Sequence, residues 1–394
     1  MAEQLSEHVR FSGGQLTQLA GGFPGLQSRW DARLREQAAR DLALVAERAP
    51  EIADLTVASP VSSDADVEDF WENLARTAAA IRAADHVGAE FTVVPPNAEH
   101  PDWNDYELSE RLGPVLSAEE NRHGSDPLVM HQMLIDHGGR WMRLAGYGDE
   151  PGELPTDEDV VELALQRAKA GVQALVVKLV GRKTGIIRID LRTDITAPEI
   201  HERLLAYDEN FGWVFIRIAG RRHTLLVQDW IPMVDEYRLF VVDGKIVSGA
   251  GCIEEFTPYD RADPDDRFDI RLRRHRGNAV TGQRSEGLHI DSTVVERYLR
   301  FAAPIAAAHG GTLVIDVATT TDNKPVIIEL NPLPNSGLYA SNPDAVYRRL
   351  VRARDRGYGV YPLMRDAPKL LEFARPINGF DDTEPEPERK DTRS

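Results

Sequence analysis

Two apolar runs in the last third of the chain, "TLVIDVA" at 312–318 and "KPVIIELNP" at 324–332, each contain an acid where a buried strand has no structural use for one. A two-residue turn at Asp322 and Asn323 would make the runs an antiparallel hairpin whose paired numbers sum to a constant. That sum sets Asp316 opposite Glu329, and Asn331 follows on the same face as Glu329. Three oxygen-bearing side chains then converge on one side of an apolar sheet. Hard oxygen ligands so arranged suit Mg²⁺, which keeps several waters and shares phosphate oxygens with a nucleotide. The competing reading is a hairpin with ordinary solvent-facing acids.

A second group lies in "ALVVKLVGRKTG" at 174–185. Lys178 interrupts an apolar strand, and Gly181 and Gly185 bracket a basic loop of Arg182, Lys183 and Thr184. Backbone amides that can turn toward an anion, with a lysine beneath them, suit a polyphosphate. The ending differs from the Gly-Lys-Ser/Thr of the Walker loop. A lysine leaving a strand edge is the plainer alternative.

The third group is "LLVQDWIPMVDEYRLFVVDGKIV" at 225–247. An apolar strand runs to Gln228, passes through Asp229, Trp230 and Ile231, and stops at Pro232. Such an extended hinge can offer backbone N–H and C=O groups to an adenine edge, with Trp230 or Ile231 covering the ring. Glu236 and Arg238 alternate with Tyr237 and Leu239, so one can accept from ribose hydroxyls while the other meets phosphate. A charged edge strand remains the alternative. Five arginines (Arg271, Arg273, Arg274, Arg276 and Arg284) crowd the interval before the metal hairpin. They read either as a loop that orders over a nucleotide and an acidic acceptor or as a solvated loop balancing Asp263, Asp265, Asp266 and Asp269. Cys252 reads as a packed thiol and His289 as a surface residue.

Helical periodicity places helices at 28–48, 64–84, 130–144 (broken by Gly138 and Gly139), 156–169, 198–207, 292–309 and 343–353. The helix at 292–309 should turn Val294, Tyr298, Phe301 and Ile305 inward. Short β-type runs fall at 90–94, 174–180, 186–191, 213–218, 224–228, 237–242 and 245–250, the last two joined by a tight Asp243-Gly244 turn. Residues 97–122 read as loop.

In this order and spacing the three chemical groups resemble the ATP-grasp superfamily over about 156–342. "EYRLFVVDGKIV" is similar to ribosomal-protein glutamate ligases and related peptide ligases, and the whole resembles an ATP-grasp domain family of bacteria and their phages. The resemblance implies an α+β fold in which two α+β subdomains grip ATP between antiparallel sheets, after a mostly helical N-terminal region. It implies that Lys178 holds ATP phosphates under the loop between Gly181 and Gly185, with Gln228, Asp229, Trp230 and Ile231 as the adenine hinge. Glu236, or else Asp235, takes the ribose, Arg238 a phosphate, and Asp316, Glu329 and Asn331 magnesium. Arg276 and Asn278 are candidates for the catalytic arginine and asparagine of such ligases. Their second upstream lysine has no clear counterpart, Arg140 and Arg143 being the nearest basic residues, and the glycine-rich start of many members is absent.

The implied activity is an ADP-forming ligation: ATP activates a small-molecule or peptide carboxylate, and an amine displaces phosphate. A small-molecule kinase and a non-catalytic ATP-binding protein are the alternatives. The expected domains are an N-terminal region at 1–150 for substrate recognition, subdomains at 151–232 and 233–355, an extension at 356–375 and a disordered acidic tail at 376–394.

Composition narrows the partners. The chain has 394 residues, 42% hydrophobic and 28% charged, as soluble globular proteins do. Its net charge of −18 disfavours broad binding to nucleic acid or anionic membranes. One cysteine cannot form an internal disulfide or a zinc site, and neither a secretory signal nor a membrane span is visible, so a cytoplasmic location is expected.

Overall fold

The computed structural model describes residues 32–48, 64–88, 133–136, 138–147, 158–179, 186–204, 223–263, 265–276, 284–331, 333 and 336–354. The expected strands at 90–94 and 213–218, the loop at 97–122, the glycine-bracketed loop at 181–185, Asn278, the extension and the tail lie outside them. The described residues divide into two compact units. One is drawn from 1–126, 136–139 and 231–366, the other from 127–135, 140–230 and 367–394.

The second unit is a four-stranded antiparallel sheet. Its strands are β1 (Met142–Tyr147), β2 (Ala174–Leu179), β3 (Ile186–Asp190) and β4 (His223–Asp229), in the order β1-β4-β2-β3. Period-two alternation sends Leu175 and Val177 of β2 to one face, where they join Ile189 and Val227. Helix α3 (Glu158–Lys169) covers that face with Val160, Leu163, Ala164 and Ala168, and Ile200 and Leu204 of a short helix at 197–204 complete the core. Lys178 therefore belongs to the opposite face. β1 corrects a sequence expectation, since 142–147 pairs along the whole of β4 where the helix at 130–144 was expected to continue. Among the described residues only 133–136 is helical there. The apolar spacing that suggested a helix is met by a strand whose edge partner lies some eighty residues away.

The first unit holds the larger sheet. Its strands are β5 (Met233–Val242), β6 (Lys245–Gly251), β7 (Arg271–Arg276), β8 (Arg284–Ile290), β9 (Leu313–Thr320) and β10 (Pro325–Asn331). They run β10-β9-β5-β7-β8, with β6 also on β5. The β5–β6 turn falls where expected, with Asp243 and Gly244 at φ of 54° and 65°, the positive pair a two-residue hairpin turn requires. The arginine-rich interval is not a loop: β7 and β8 pair as antiparallel strands.

Helix α4 (Ser292–His309) covers one sheet face, capped by Asp291, whose side chain accepts from the Val294 N–H. It buries Val295, Tyr298, Ala302 and Ile305, so the inward stripe includes Val295 and Ala302 in place of Val294 and Phe301. The other face carries Phe240, Val242 and Val314. It packs against Ala79, Ala80 and Ala83 of α2 (Asp64–Val87) and Val346, Tyr347 and Leu350 of α5 (Pro343–Arg354). Helix α1 (Ala32–Arg48) joins this group through Asp41, which accepts from Arg82 and Tyr259, while Arg82 also holds Asp344. The described N-terminal helices thus lie in the same unit as the larger sheet. No helix among the described residues is long and apolar enough to cross a membrane.

Candidate functional site

The face of β5 that buries Phe240 and Val242 continues along the strand to Arg238 and Glu236, and core gives way to charge. Arg238 pairs in register with Asp316 of β9, so the two side chains share that face. They form a bidentate ion pair, Nε to Oδ1 and Nη2 to Oδ2, both at 2.8 Å, with each side chain 6% exposed. Burial works against the guanidinium's charge, but the Asp316 carboxylate overrides it and holds Arg238 protonated well beyond its usual range. The third Arg238 contact runs from Nη1 to the Gly337 carbonyl at 3.1 Å.

Glu329 does stand opposite Asp316, by a route other than the turn expected. The pairs Thr319–Pro325, Ala318–Val326 and Val317–Ile327 centre on Asp322, one residue out of register with a turn at 322–323. The loop closes with Asn323 at φ 65° and the Thr320 N–H donating to the Lys324 carbonyl at 2.9 Å. A bulge at Ile328 then shifts the register by one and brings Glu329 to Asp316. Asn331 closes the group: Nδ2 donates to Glu329 Oε1 at 2.8 Å and to Asp316 Oδ2 at 3.1 Å.

Burial, and then the charges of Asp316 and Glu329, push the half-buried Glu236 carboxyl up to about 7. The Cys252 N–H donates to the Glu236 carbonyl, and burial followed by Asp316 drives the Cys252 thiol well up, disfavouring the thiolate. Among the described residues no group of three or more His, Cys, Asp and Glu is placed to hold a metal ion. Two carboxylates and an amide oxygen nonetheless fit Mg²⁺, which takes few protein ligands and completes its shell with phosphates and water.

In the four-stranded unit, register puts Lys178 and Gln228 on the same sheet face as Arg188. Both Lys178 and Gln228 are buried. Arg140 donates to Gln228 Oε1 at 2.9 Å, whereas Arg143 is exposed and turns back on the Met142 carbonyl. Arg140 is thus the one of the two that adjoins the nucleotide candidates. Arg188 lies over the Trp230 ring at 4.2 Å. The Asp229 and Trp230 N–H groups donate to Trp141 and Ala174 carbonyls, and the Asp229 side chain is held by Arg167. The hinge amides at 229 and 230 are therefore spent on the sheet.

Arg271 and Arg273 bind Asp269 and Glu255, and Arg276 is a residue of β7. His289 Nε2 lies 3.6 Å from Asp235 Oδ1, a partner on β5. Sequence reasoning missed Glu72, whose carboxylate accepts from the Leu338 and Tyr339 N–H groups beside Arg238. α2 carries many charged residues, and its sequence does not separate Glu72 and Arg76 from the others; their burial does.

Residues 208–349 match the model of an ATP-grasp domain family, the second family of its clade. No curated protein sequence gives a significant match. Among solved structures, the ATP-grasp ligase PsnB, complexed with a phosphomimetic precursor variant, Mg and ADP, is 13% identical. That match covers 63% of this chain and 67% of the other, at a TM-score of 0.31. A D-alanine–D-alanine ligase from Bacillus anthracis is 14% identical over 58% of this chain and 67% of its own, at 0.33. The D-cycloserine synthetase DcsG is 14% identical over 63% and 77%, at 0.34.

Proposed function

We propose, from the premise that residues 208–349 are an ATP-grasp domain, that the protein is an ADP-forming ligase joining a carboxylate to an amine. The observation that carries this reading is the buried Arg238, braced bidentately by Asp316 beside Asn331 and Glu329. A guanidinium fixed in that way needs no reorganisation to meet charge that develops on a phosphoryl group. Three of its N–H groups are engaged, and the remaining two are available to a phosphate oxygen.

In the reaction a carboxylate oxygen of the substrate bonds to the γ-phosphorus of ATP as the bond to the β-phosphate oxygen breaks, releasing ADP. The amine nitrogen then bonds to the carbonyl carbon of the acyl phosphate, inorganic phosphate leaves, and the nitrogen loses a proton. Asp316, Glu329 and the Asn331 amide oxygen would hold magnesium, which supplies positive charge at the phosphates. Arg238 neutralises the transferring group, Glu236 is the candidate for the ribose, and Arg276 and Asn278 stay candidates for the second step. Lys178, with Gly181 and Gly185, is proposed for phosphate binding, and Gln228, Asp229, Trp230 and Ile231 for the base. With the amides of 229 and 230 engaged, the N–H of Ile231 and the hinge carbonyls are the groups left for adenine. The acceptor proposed is a small-molecule or peptide carboxylate.

The test is ADP release from MgATP with pools of carboxylates and amines, for the wild type and for Glu329→Ala. Turnover that needs both a carboxylate and an amine, and that disappears in Glu329→Ala while the fold persists, supports the ligase. A phosphorylated product formed without any amine would mean a kinase, and full turnover by Glu329→Ala would remove the magnesium assignment.

A further inference from the structure

Helix α2 lies in the stretch whose sequence carries no motif, yet Glu72 and Arg76 on it are only 8% and 4% exposed. One helical turn apart, they project from the same face. Arg76 donates to the carbonyls of Leu333 and Ser336, at 3.3 and 2.7 Å. Glu72 accepts from the N–H groups of Leu338 and Tyr339, at 2.8 and 2.6 Å. The acid thus takes the donors and the base takes the acceptors of one short segment that follows the Asn331 strand. These backbone groups lie in an irregular stretch with no ladder to satisfy them, so the charged side chains do that work.

From β5 the same segment is held by Arg238, which donates to the Gly337 carbonyl while keeping Asp316. Gly337 lies between the two holds: a Cβ there would make ordinary contact with both, 3.4 Å from Glu72 Oε2 and 3.5 Å from Arg238 Nη1. Tyr339 sits at φ 47°, a conformation that costs a side-chain-bearing residue energy and persists only where neighbours over-determine it. Its ring lies 5.0 Å from the Arg238 guanidinium carbon.

We infer that Glu72 is a positioning residue of the site. Acting through the backbone of 337–339, it sets the orientation of the Arg238 guanidinium and of Tyr339, and Arg76 anchors the start of the segment. The N-terminal helix is then part of the phosphoryl-transfer apparatus. Only this consequence for turnover rests on the ligase reading.

Glu72→Gln keeps the side chain's shape but replaces one acceptor oxygen with an amide nitrogen, so one of the two N–H groups loses its partner. Two structural readouts are the Arg238 Nε–H resonance, assigned by its loss in Arg238→Lys, and hydrogen exchange at Leu338 and Tyr339. The inference expects the resonance to shift and exchange to accelerate at whichever of the two amides loses its acceptor. It also expects kcat for ADP release to fall about tenfold to a hundredfold, as for a misplaced catalytic group, with the ATP KM within about twofold. Glu72→Asp, one methylene shorter, withdraws the carboxylate from the same N–H groups and should reproduce both changes if Glu72→Gln fails to fold. An unmoved resonance with unchanged exchange in both variants overturns the inference. So does a loss of turnover no larger than the loss of folded protein. A wild type that releases no ADP with any pool sinks the ligase reading instead, and the resonance and exchange still decide the role of Glu72.

Discussion

On the larger sheet Arg238 and Asp316 meet with both side chains 6% exposed, whereas in the four-stranded unit Arg167 of α3 and Asp229 of β4 meet with 22% and 16% exposed. Both are arginine–aspartate pairs with two hydrogen bonds, and chemistry alone would rank them as equals. Burial separates them. Water can replace the partner of a half-open ion but not of a closed one. The first pair is therefore a fixed electrostatic element and the second a tether at the end of a hinge.

Removing one partner from each pair breaks or sharpens that contrast most directly. Asp316→Ala should cost about 3–5 kcal/mol, because it strands a buried guanidinium; denaturant unfolding of the purified variant measures this. A loss under about 1 kcal/mol would show that water reaches Arg238 after all. Gly249→Ala attacks the larger sheet through packing. A Cβ there would lie 2.6 Å from the Tyr237 ring and 2.9 Å from the Arg238 carbonyl, so the β5–β6 pairing must give way. A loss of about 1–3 kcal/mol is expected, with a downward shift of the thermal midpoint as its sign. Arg167→Ala should cost about 1 kcal/mol or less, and less again in high salt.

A further effect depends on pH. With Glu236 raised to about 7 in the fold, the folded state keeps a proton that the unfolded chain has already lost between the ordinary glutamate range and neutrality. Its contribution to stability is thus full below the ordinary range and is lost as pH rises toward 7. Glu236→Gln should flatten the fall in unfolding free energy over that window, as read from denaturant curves at several pH values. An unchanged slope would mean that Glu236 is not the group responsible.

The two regions also differ in how far their residues could be read in advance. The placement of Asp316, Glu329 and Arg238 in apolar β-type runs was legible because an ionisable group there is costly wherever it goes, and so marks itself; Asn331 followed from its spacing to Glu329. The Asp243-Gly244 turn was legible because few residue pairs accept two positive φ angles. β1 was not: its strand character comes from pairing with β4, and nothing local distinguishes 142–147 from a helix end. β7 and β8 were read as loop because their arginines look solvated, although two of them are spent on Asp269 and Glu255. Glu72 was passed over because its partners are backbone groups some 266 residues away, which no spacing rule connects.

By itself the sequence determined that charged and polar groups would stand within two apolar hairpins, since alternation and turn chemistry are local properties. Tertiary structure decided which charges met. The Ile328 bulge set Glu329 against Asp316, the β5–β9 register locked Arg238 to Asp316, and α2 brought Glu72 to the segment beyond Asn331. A strand's own residues state which face they share, but only packing against distant elements selects the register and the partner. A buried charge is stable or ruinous according to that partner.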